Sequence, residues 1–578
     1  MKIYIQIMIL LSLLSLSSCK DWLNLQPEGE ATSDKLFTTG DGYRSVLAGV
    51  YEAMASRNLY GVELQFGLVD CMSRQYTWAW KYGEEGTNMY KIARNYDYYN
   101  SALRPTIDNI WKDGYNVVAN ANNLIQNLER ASADIFAEGE VERKMILGEA
   151  YACRALVHFD LLRLFAPALI HDDGEKRVPY VEDYPNIQPN GIAVKPFMEK
   201  VIRDLNKARE LTIEFDTTAW GMSLSASGKT RFNGEFEWGM PGHQSSSVID
   251  GFFQGRGFRL SYYAITALLA RAYQYAGMYD EAFQMADAVL KFKATGTQGS
   301  SYDMFSKDEF WELRGNDFES KKDLKCISNL IFAVYNEEAY DNYSLGSFFR
   351  KKADGMNQGN WLMLDLDNQK IFKSPDGQTD ESEMDIRSRF LLYKPEDNNI
   401  WGNYKISGKW YCSDNAEIRK KNIRILPVIR ATEMRYIMAE CYARKNQFAE
   451  AYEILNEIRE KRSETAQVGD EWKTMEQLEV ARDFEMFQRD LIRDAQREWI
   501  SEGQLFYLYK RLGAKIYFKE KEERELNKSE YMLPIPDNQS MQPFKNGKNE
   551  NLYIVCDFGD DVVQCMYGTG YRTFWRTP

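Results

Sequence analysis

The chain has 578 residues, 72 Lys and Arg against 85 Asp and Glu, a formal net charge of −13 and a pI near 5.2. At roughly 150 residues per unit that length gives two to four packed units and a large buried core, while the acidic balance excludes a general phosphate-binding surface and so nucleic acid as a partner. The 36 Tyr and 13 Trp offer flat apolar faces with polar rims, more than a core alone requires.

The first element in chain order is a signal. Lys2 supplies a positive start, and Ile3 to Leu16 form an apolar run broken by Gln6, Ser12 and Ser15, too short for a ~30 Å bilayer, which needs about 20 apolar residues. Leu16-Ser17-Ser18-Cys19 resembles the bacterial lipobox, which implies that residues 1–18 are removed as a lipoprotein signal peptide and that Cys19 is acylated. A single acyl chain holds only marginally, at roughly 0.8 kcal/mol per buried CH₂, so the several chains implied by that resemblance anchor stably. No later stretch reads as a membrane-spanning helix.

Helical periodicity dominates the rest. The pattern predicts helices over 41–56, 105–130, 140–166 and 195–211, with Pro105 suited to a first turn. "YACRALVHFDLLRLF", 151–165, is apolar almost all round, which places it inside the scaffold. "ARAYQYAGMYDEAFQMADAV" from Ala270 and "AECYARKNQFAEAYEILNEI" from Ala439 then echo each other without a gap. Gly277 and Asn446 fall at the same place in the two copies, and both residue types readily take the left-handed conformation that ends a helix. Each copy therefore reads as a helical hairpin, with alanines allowing close approach and aromatics filling the gap, the tetratricopeptide pattern. With the earlier helices this gives a mainly α fold of four tetratricopeptide-like pairs. A last helix is expected over about 488–512.

Long stretches rich in Gly, Ser, Asn and Asp lie between these helices, at 57–104, 216–257, 295–325 and 340–425. Loops of that length are uncommon unless functional or disordered, and their many Trp residues argue against disorder, so they are expected to fold onto the scaffold and carry the ligand site. A site for neutral sugars needs aromatic platforms for C–H faces and polar groups for hydroxyl rims. "DCMSRQYTWAWKYGEEGTNMY" supplies Asp70, Arg74, Tyr76, Trp78 and Trp80 together, and an extended "YTWAW" sets Tyr76, Trp78 and Trp80 on one face. The competing reading is that these aromatics pin the loop to the scaffold. Trp361 in "MNQGNWLML" and Trp401 and Trp410 in "NNIWGNYKISGKWY" are further candidates.

Catalytic patterns are weak by comparison. Glu498 and Glu502 stand one helical turn apart, as an acid/base pair would, but an amphipathic helix also explains them, with Arg497 or Lys510 as ion partners. "SGKT" at 227–230 resembles the end of a phosphate loop, yet Ser223 occupies the position of the required first Gly. His158 lies within the apolar helix, where a hydrogen-bonded core histidine is expected. His171 and His243 have no neighbours at metal spacing, and the cysteines form no zinc pattern. No catalytic residue, metal or cofactor is assigned. Of the seven cysteines after Cys19, Cys153 and Cys441 read as small core residues, and Cys556 and Cys565 are candidates to pair.

Five blocks carry a family likeness: "GEAYACRALVHFDLLRLFAP", "RLSYYAITALLARAYQYAGMYDEAFQMADAVL", "RATEMRYIMAECYARKNQFAEAYEILNEIREKR", "QREWISEGQLFYLYKRLG" and "YMLPIP". In this order, after a lipobox and "CKDW", they resemble the SusD/RagB outer-membrane lipoproteins of Bacteroidetes. The resemblance implies a signal peptide at 1–18, an N-terminal part over 19–257 with two helical pairs and aromatic loops, and a C-terminal part over 258–578 with two more pairs, long loops and a tail. It also implies an outer-membrane, lipid-anchored protein facing the cell exterior. That protein would capture oligosaccharides, without catalysis, and pass them to a SusC-like TonB-dependent barrel. Peptide capture on the same scaffold, or a pure protein-interaction role, are the alternatives. Tyr507 departs from the family, which usually has Asp there, and an aromatic tail replaces the usual Asn-Pro-Gly-Tyr ending.

Overall fold

The computed structural model describes residues 36–536 except 79–87, 186–189, 233–249, 296–300, 306–312, 316, 322, 353–359, 398–399, 401, 414, 416–422 and 520–521, together with strands at 555–559, 562–567 and 570–576. The helices follow the apolar periodicity closely. They are α1 (Gly40–Met54), α2 (Arg104–Leu128), α3 (Gly139–Phe165) and α4 (Val194–Asp216), then α5 (Tyr262–Tyr275) with α6 (Tyr279–Leu290), and α7 (Ala431–Arg444) with α8 (Phe448–Arg462). From α2 to α6 each packs on the next, α6 packs on α7, and α7 on α8. This row is the tetratricopeptide-like scaffold, and it lies within the compact unit Val46–Pro543.

Local chemistry accounts for the row. Helix α2 buries Ile107, Ile110, Trp111, Val117, Val118, Leu124 and Ile125 along one stripe, with Pro105 in its first turn. Helix α3 is buried almost without interruption from Met145 to Phe165 because α2 and α4 flank it. His158 sits inside it as a core histidine. Its Nε2 accepts a hydrogen bond from the Val181 amide at 3.0 Å, and its ring stacks on Tyr180 with centroids 4.0 Å apart. Burial, assisted by Arg154, holds its pKa well below the ordinary value.

The hairpin echo is structural. Gly277 has φ +72° and Asn446 φ +59°, each in the turn between paired helices. No atom lies within 4 Å of where a Cβ on Gly277 would stand, so substitution there acts through backbone strain alone. Gly277→Val is expected to destabilise by at least ~1 kcal/mol, because a β-branched residue is strained at positive φ. Gly277→Asn should cost less. Urea midpoints of the two variants check this, and equal midpoints would remove the backbone argument.

The expected continuous helix over 488–512 is instead two, α9 (Phe484–Glu498) and α10 (Leu505–Leu512). The turn between them holds Ser501 at φ +62° and Gly503 at φ +68°. A Cβ at residue 503 would lie 2.1 Å from the Leu64 carbonyl oxygen, so glycine is required by both conformation and space.

Small sheets attach the loops to this scaffold. Strands β1 (Leu330–Tyr335) and β5 (Ile425–Arg430) pair antiparallel, with Leu330 opposite Arg430. Strands β2 (Met363–Asp365), β3 (Leu392–Tyr393) and β4 (Tyr404–Ser407) form a second sheet in the order β2-β4-β3. The strands at 555–559, 562–567 and 570–576 make an antiparallel sheet whose register sets Cys556 opposite Cys565. Among the described residues no helix is long and apolar enough to cross a membrane.

Candidate functional site

The loop after α1 is drawn onto the second sheet and onto the α9–α10 turn. The Thr77 amide donates to the Met363 carbonyl at 2.7 Å, and Gln369 Nε2 donates to the carbonyls of Arg74 at 3.0 Å and Gln75 at 2.6 Å. Residues 74–77 therefore lie along β2 and its following turn. Two sequence-predicted segments, those around Trp78 and Trp361, are brought together this way.

Their side chains take different roles. Asp70 is fully buried, and its carboxylate accepts the Gly503 amide at 3.1 Å. Burial pushes its pKa well above the usual carboxylate range. Tyr76 is fully buried and donates to Ser501 Oγ at 2.8 Å. Trp410 is fully buried and donates from Nε1 to the Ser501 carbonyl at 3.0 Å. Asp70, Tyr76 and Trp410 thus converge on the α9–α10 turn. Trp361 is 1% exposed. All four side chains are buried, and Asp70, Tyr76 and Trp410 hold the loops to the α9–α10 turn. Arg74 and Trp78 are partly exposed, and Arg74 donates to the Arg94 carbonyl at 2.8 Å. Trp80, Trp401 and Cys19 lie outside the described residues.

A buried charge network backs the turn. Glu498 accepts from Arg462 Nη2 at 3.0 Å, from Arg387 Nη1 at 3.1 Å and from the Thr432 hydroxyl at 2.8 Å. Glu502 accepts from Arg430 Nε and from Lys409 Nζ, each at 2.6 Å. Burial alone would raise both carboxyls, but Arg462 and Arg387 hold Glu498 well below the usual range, and Arg430 and Lys409 lower Glu502. The expected partners were Arg497 and Lys510. Arg497 instead reaches Glu381 at 2.7 Å and Asp385 at 3.2 Å, and Lys510 donates to the carbonyls of Arg163 at 2.5 Å and Ala166 at 2.6 Å. Carboxylates so tightly ion-paired are poorly placed to exchange protons with a substrate. Sequence reasoning missed Arg387, Arg430 and Arg462 because nothing local links them to α9.

The remaining motif is also structural. "SGKT" forms the start of a short helix, Gly228–Arg231, capped by Ser227, and it follows the helix Ala219–Ser225, not a strand. Its hydroxyl accepts the Thr230 amide at 3.1 Å. No group of His, Cys, Asp and Glu suited to a metal ion occurs among the described residues.

Residues 21–214 match a family model described as starch-binding associating with outer membrane. No curated protein matches the chain. Among solved structures, a SusD superfamily protein from Bacteroides thetaiotaomicron superposes with a TM-score of 0.62 at 20% identity, covering 87% of this chain and 97% of that one. A SusD-like carbohydrate-binding protein from Bacteroides vulgatus gives 0.57 at 14% identity, covering 87% and 96%. A laminarin-binding SusD-like protein gives 0.53 at 16% identity, covering 82% and 92%. With the helical row and the loops stitched to it, the chain shares its fold with SusD superfamily proteins over 87% of its length, and residues 21–214 match the starch-binding family model.

Proposed function

We propose that this protein is a cell-surface lipoprotein that captures oligosaccharides and delivers them to a TonB-dependent outer-membrane barrel. The observation that carries the reading is a fold shared along more than four-fifths of the chain with carbohydrate-binding proteins, one of them a laminarin binder. The starch-binding description of the family matched by residues 21–214 points the same way. Residues 1–18 would be the signal peptide and Cys19 the acylated start of the mature chain. Delivery to the barrel rests on the family likeness.

The sugar would meet the edge of the 74–78 segment beside β2. Trp78 supplies the platform and Arg74 a donor for hydroxyl groups, with Trp80 and Trp401, which lie outside the described residues, as further candidates. The buried Asp70, Tyr76, Trp361 and Trp410 would hold that edge in place. Catalysis is no part of this reading, and the two glutamates that suggested an acid/base pair are engaged in ion pairs.

Trp78→Ala is expected to weaken glycan binding about five- to tenfold, since an aromatic platform is worth about 1 kcal/mol beyond its buried area and 1.4 kcal/mol is tenfold. Calorimetry against a panel of polysaccharides measures it. Unchanged affinity in the combined Trp78→Ala and Trp80→Ala protein would remove this segment from the site, and a wild type that binds peptides but no glycan would overturn the reading.

A further inference from the structure

A small cavity lies between α3, α5, α7, α9 and α10, and no residue of the 74–78 segment lines it. Its volume is about 40 Å³. A water needs roughly 10–15 Å³, so the cavity has room for something a few atoms in size.

The walls are largely apolar, with a few charged and hydroxyl groups set among aromatic and aliphatic side chains. Arg271 grips Glu433 through Nε and Nη2, both at 2.6 Å, and Nη2 also reaches the Val428 carbonyl at 2.8 Å. Its Nη1 is buried with no partner. The hydroxyls of Tyr275 and Tyr507 are likewise buried without partners, and all three residues line this cavity. Each of the three side chains is more than nine-tenths buried. All three unpartnered atoms can donate, and a buried donor left unsatisfied costs about 1–3 kcal/mol.

The charge points in the same direction. Arg511 holds Glu440 through two bonds of 2.7 and 2.6 Å, and Arg444 donates to the same carboxylate at 3.0 Å. Arg163 pairs with Asp160 and lays its guanidinium 3.7 Å from the centre of the Tyr507 ring. The three guanidiniums of the wall, Arg163, Arg271 and Arg511, thus stand against three carboxylates, Asp160, Glu433 and Glu440, and Arg444, behind Glu440 and outside the wall, adds one further positive charge. Donors without acceptors around an excess positive charge suit an acceptor carrying one negative charge.

We propose that this cavity is a binding site for a small monovalent anion of the halide class, held by Arg271 Nη1 and the hydroxyls of Tyr275 and Tyr507. The site is separate from the proposed glycan edge and does not depend on it.

Bromide is the probe. Crystals of the full protein soaked in sodium bromide should show an anomalous peak within hydrogen-bonding distance of Arg271 Nη1 and both hydroxyls. In solution, the melting temperature should rise as bromide replaces gluconate at constant ionic strength, as expected for a ligand bound by the folded state. The Tyr275→Phe/Tyr507→Phe protein, which keeps both rings, should lose the peak and at least half of the bromide dependence. Ordered waters with no anomalous peak in the wild type, or the same bromide dependence in both proteins, would overturn the proposal.

Discussion

Replacing Glu498 with Ala should destabilise the protein by about 3–5 kcal/mol, the usual cost of removing one partner from a buried ion pair. Its carboxylate is shared by Arg387 and Arg462 and also accepts from Thr432. Taking it away leaves the buried Arg462 short of a counter-charge and removes one of the three carboxylates around Arg387. Glu498→Gln keeps the shape and should cost less. A Glu498→Met/Arg462→Met pair should recover part of the loss, because removing both charges also removes their desolvation penalty. Urea midpoints rank the three variants, and a Glu498→Ala protein within 1 kcal/mol of wild type, on the order of a typical surface substitution, would show that the network does not support the fold.

The same network sets a pH dependence. Glu498, Glu502 and Asp385 all have folded pKa values below their ordinary ones, because nearby arginines and, for Glu502, Lys409 outweigh the opposing effect of burial. Groups of this kind contribute stability that is complete above their unfolded values, 4.5 for Glu and 3.8 for Asp, and is lost as pH falls through the folded ones. His158 adds to the slope from a higher starting point. Its folded pKa is depressed from 6.5, so unfolding takes up a proton below that value. These groups pull stability down on acidification in two stages, while Asp70 and Glu63, whose burial raises their folded pKa values, act in the opposite direction; the lower stage should be shallower in Glu498→Gln.

The scaffold was legible in the sequence because its determinants are local. Apolar spacing and a turn residue at Gly277 or Asn446 suffice to mark a helical hairpin, and the observed helices begin and end close to where the pattern places them. The break at 499–504 was not legible. It depends on Leu64 pressing on Gly503 and on Asp70 meeting the Gly503 amide, contacts that join positions more than 430 residues apart. The candidate site divides for the same reason. Trp and Tyr flanked by Asp or Arg describe a sugar platform and an anchored loop equally well, and only the distant Ser501 distinguishes Tyr76 and Trp410 as anchors. Trp78 stays partly exposed where the 74–77 segment runs off the sheet, a consequence of strand pairing that composition does not encode. The glutamate pair shows the limit most clearly: nearness along the chain proposed Arg497 or Lys510, while the fold delivers Arg387 and Arg430 from other segments.

Cys19→Ala should abolish membrane attachment while leaving the fold intact. The run before Cys19 is too short to remain as a spanning helix, so under the proposed function attachment rests on the acyl chains alone. One chain would hold marginally, and two or more make release negligible on cellular timescales. Without the cysteine no chain is added, and the protein should leave the membrane fraction or persist as an unprocessed precursor of higher mass. Metabolic labelling with a radioactive fatty acid should mark the wild type and not the variant. The unit Val46–Pro543 has its own core, so the variant's urea midpoint and its affinity for glycan should match those of the wild type. Uptake should nevertheless fail, because tethering confines the protein near its barrel and turns capture into a local event at high effective concentration. A Cys19→Ala protein that stays in carbonate-washed membranes, or a wild type that takes up no fatty acid, would overturn the anchor. A released variant that still supported full uptake would keep the anchor and remove its role in delivery.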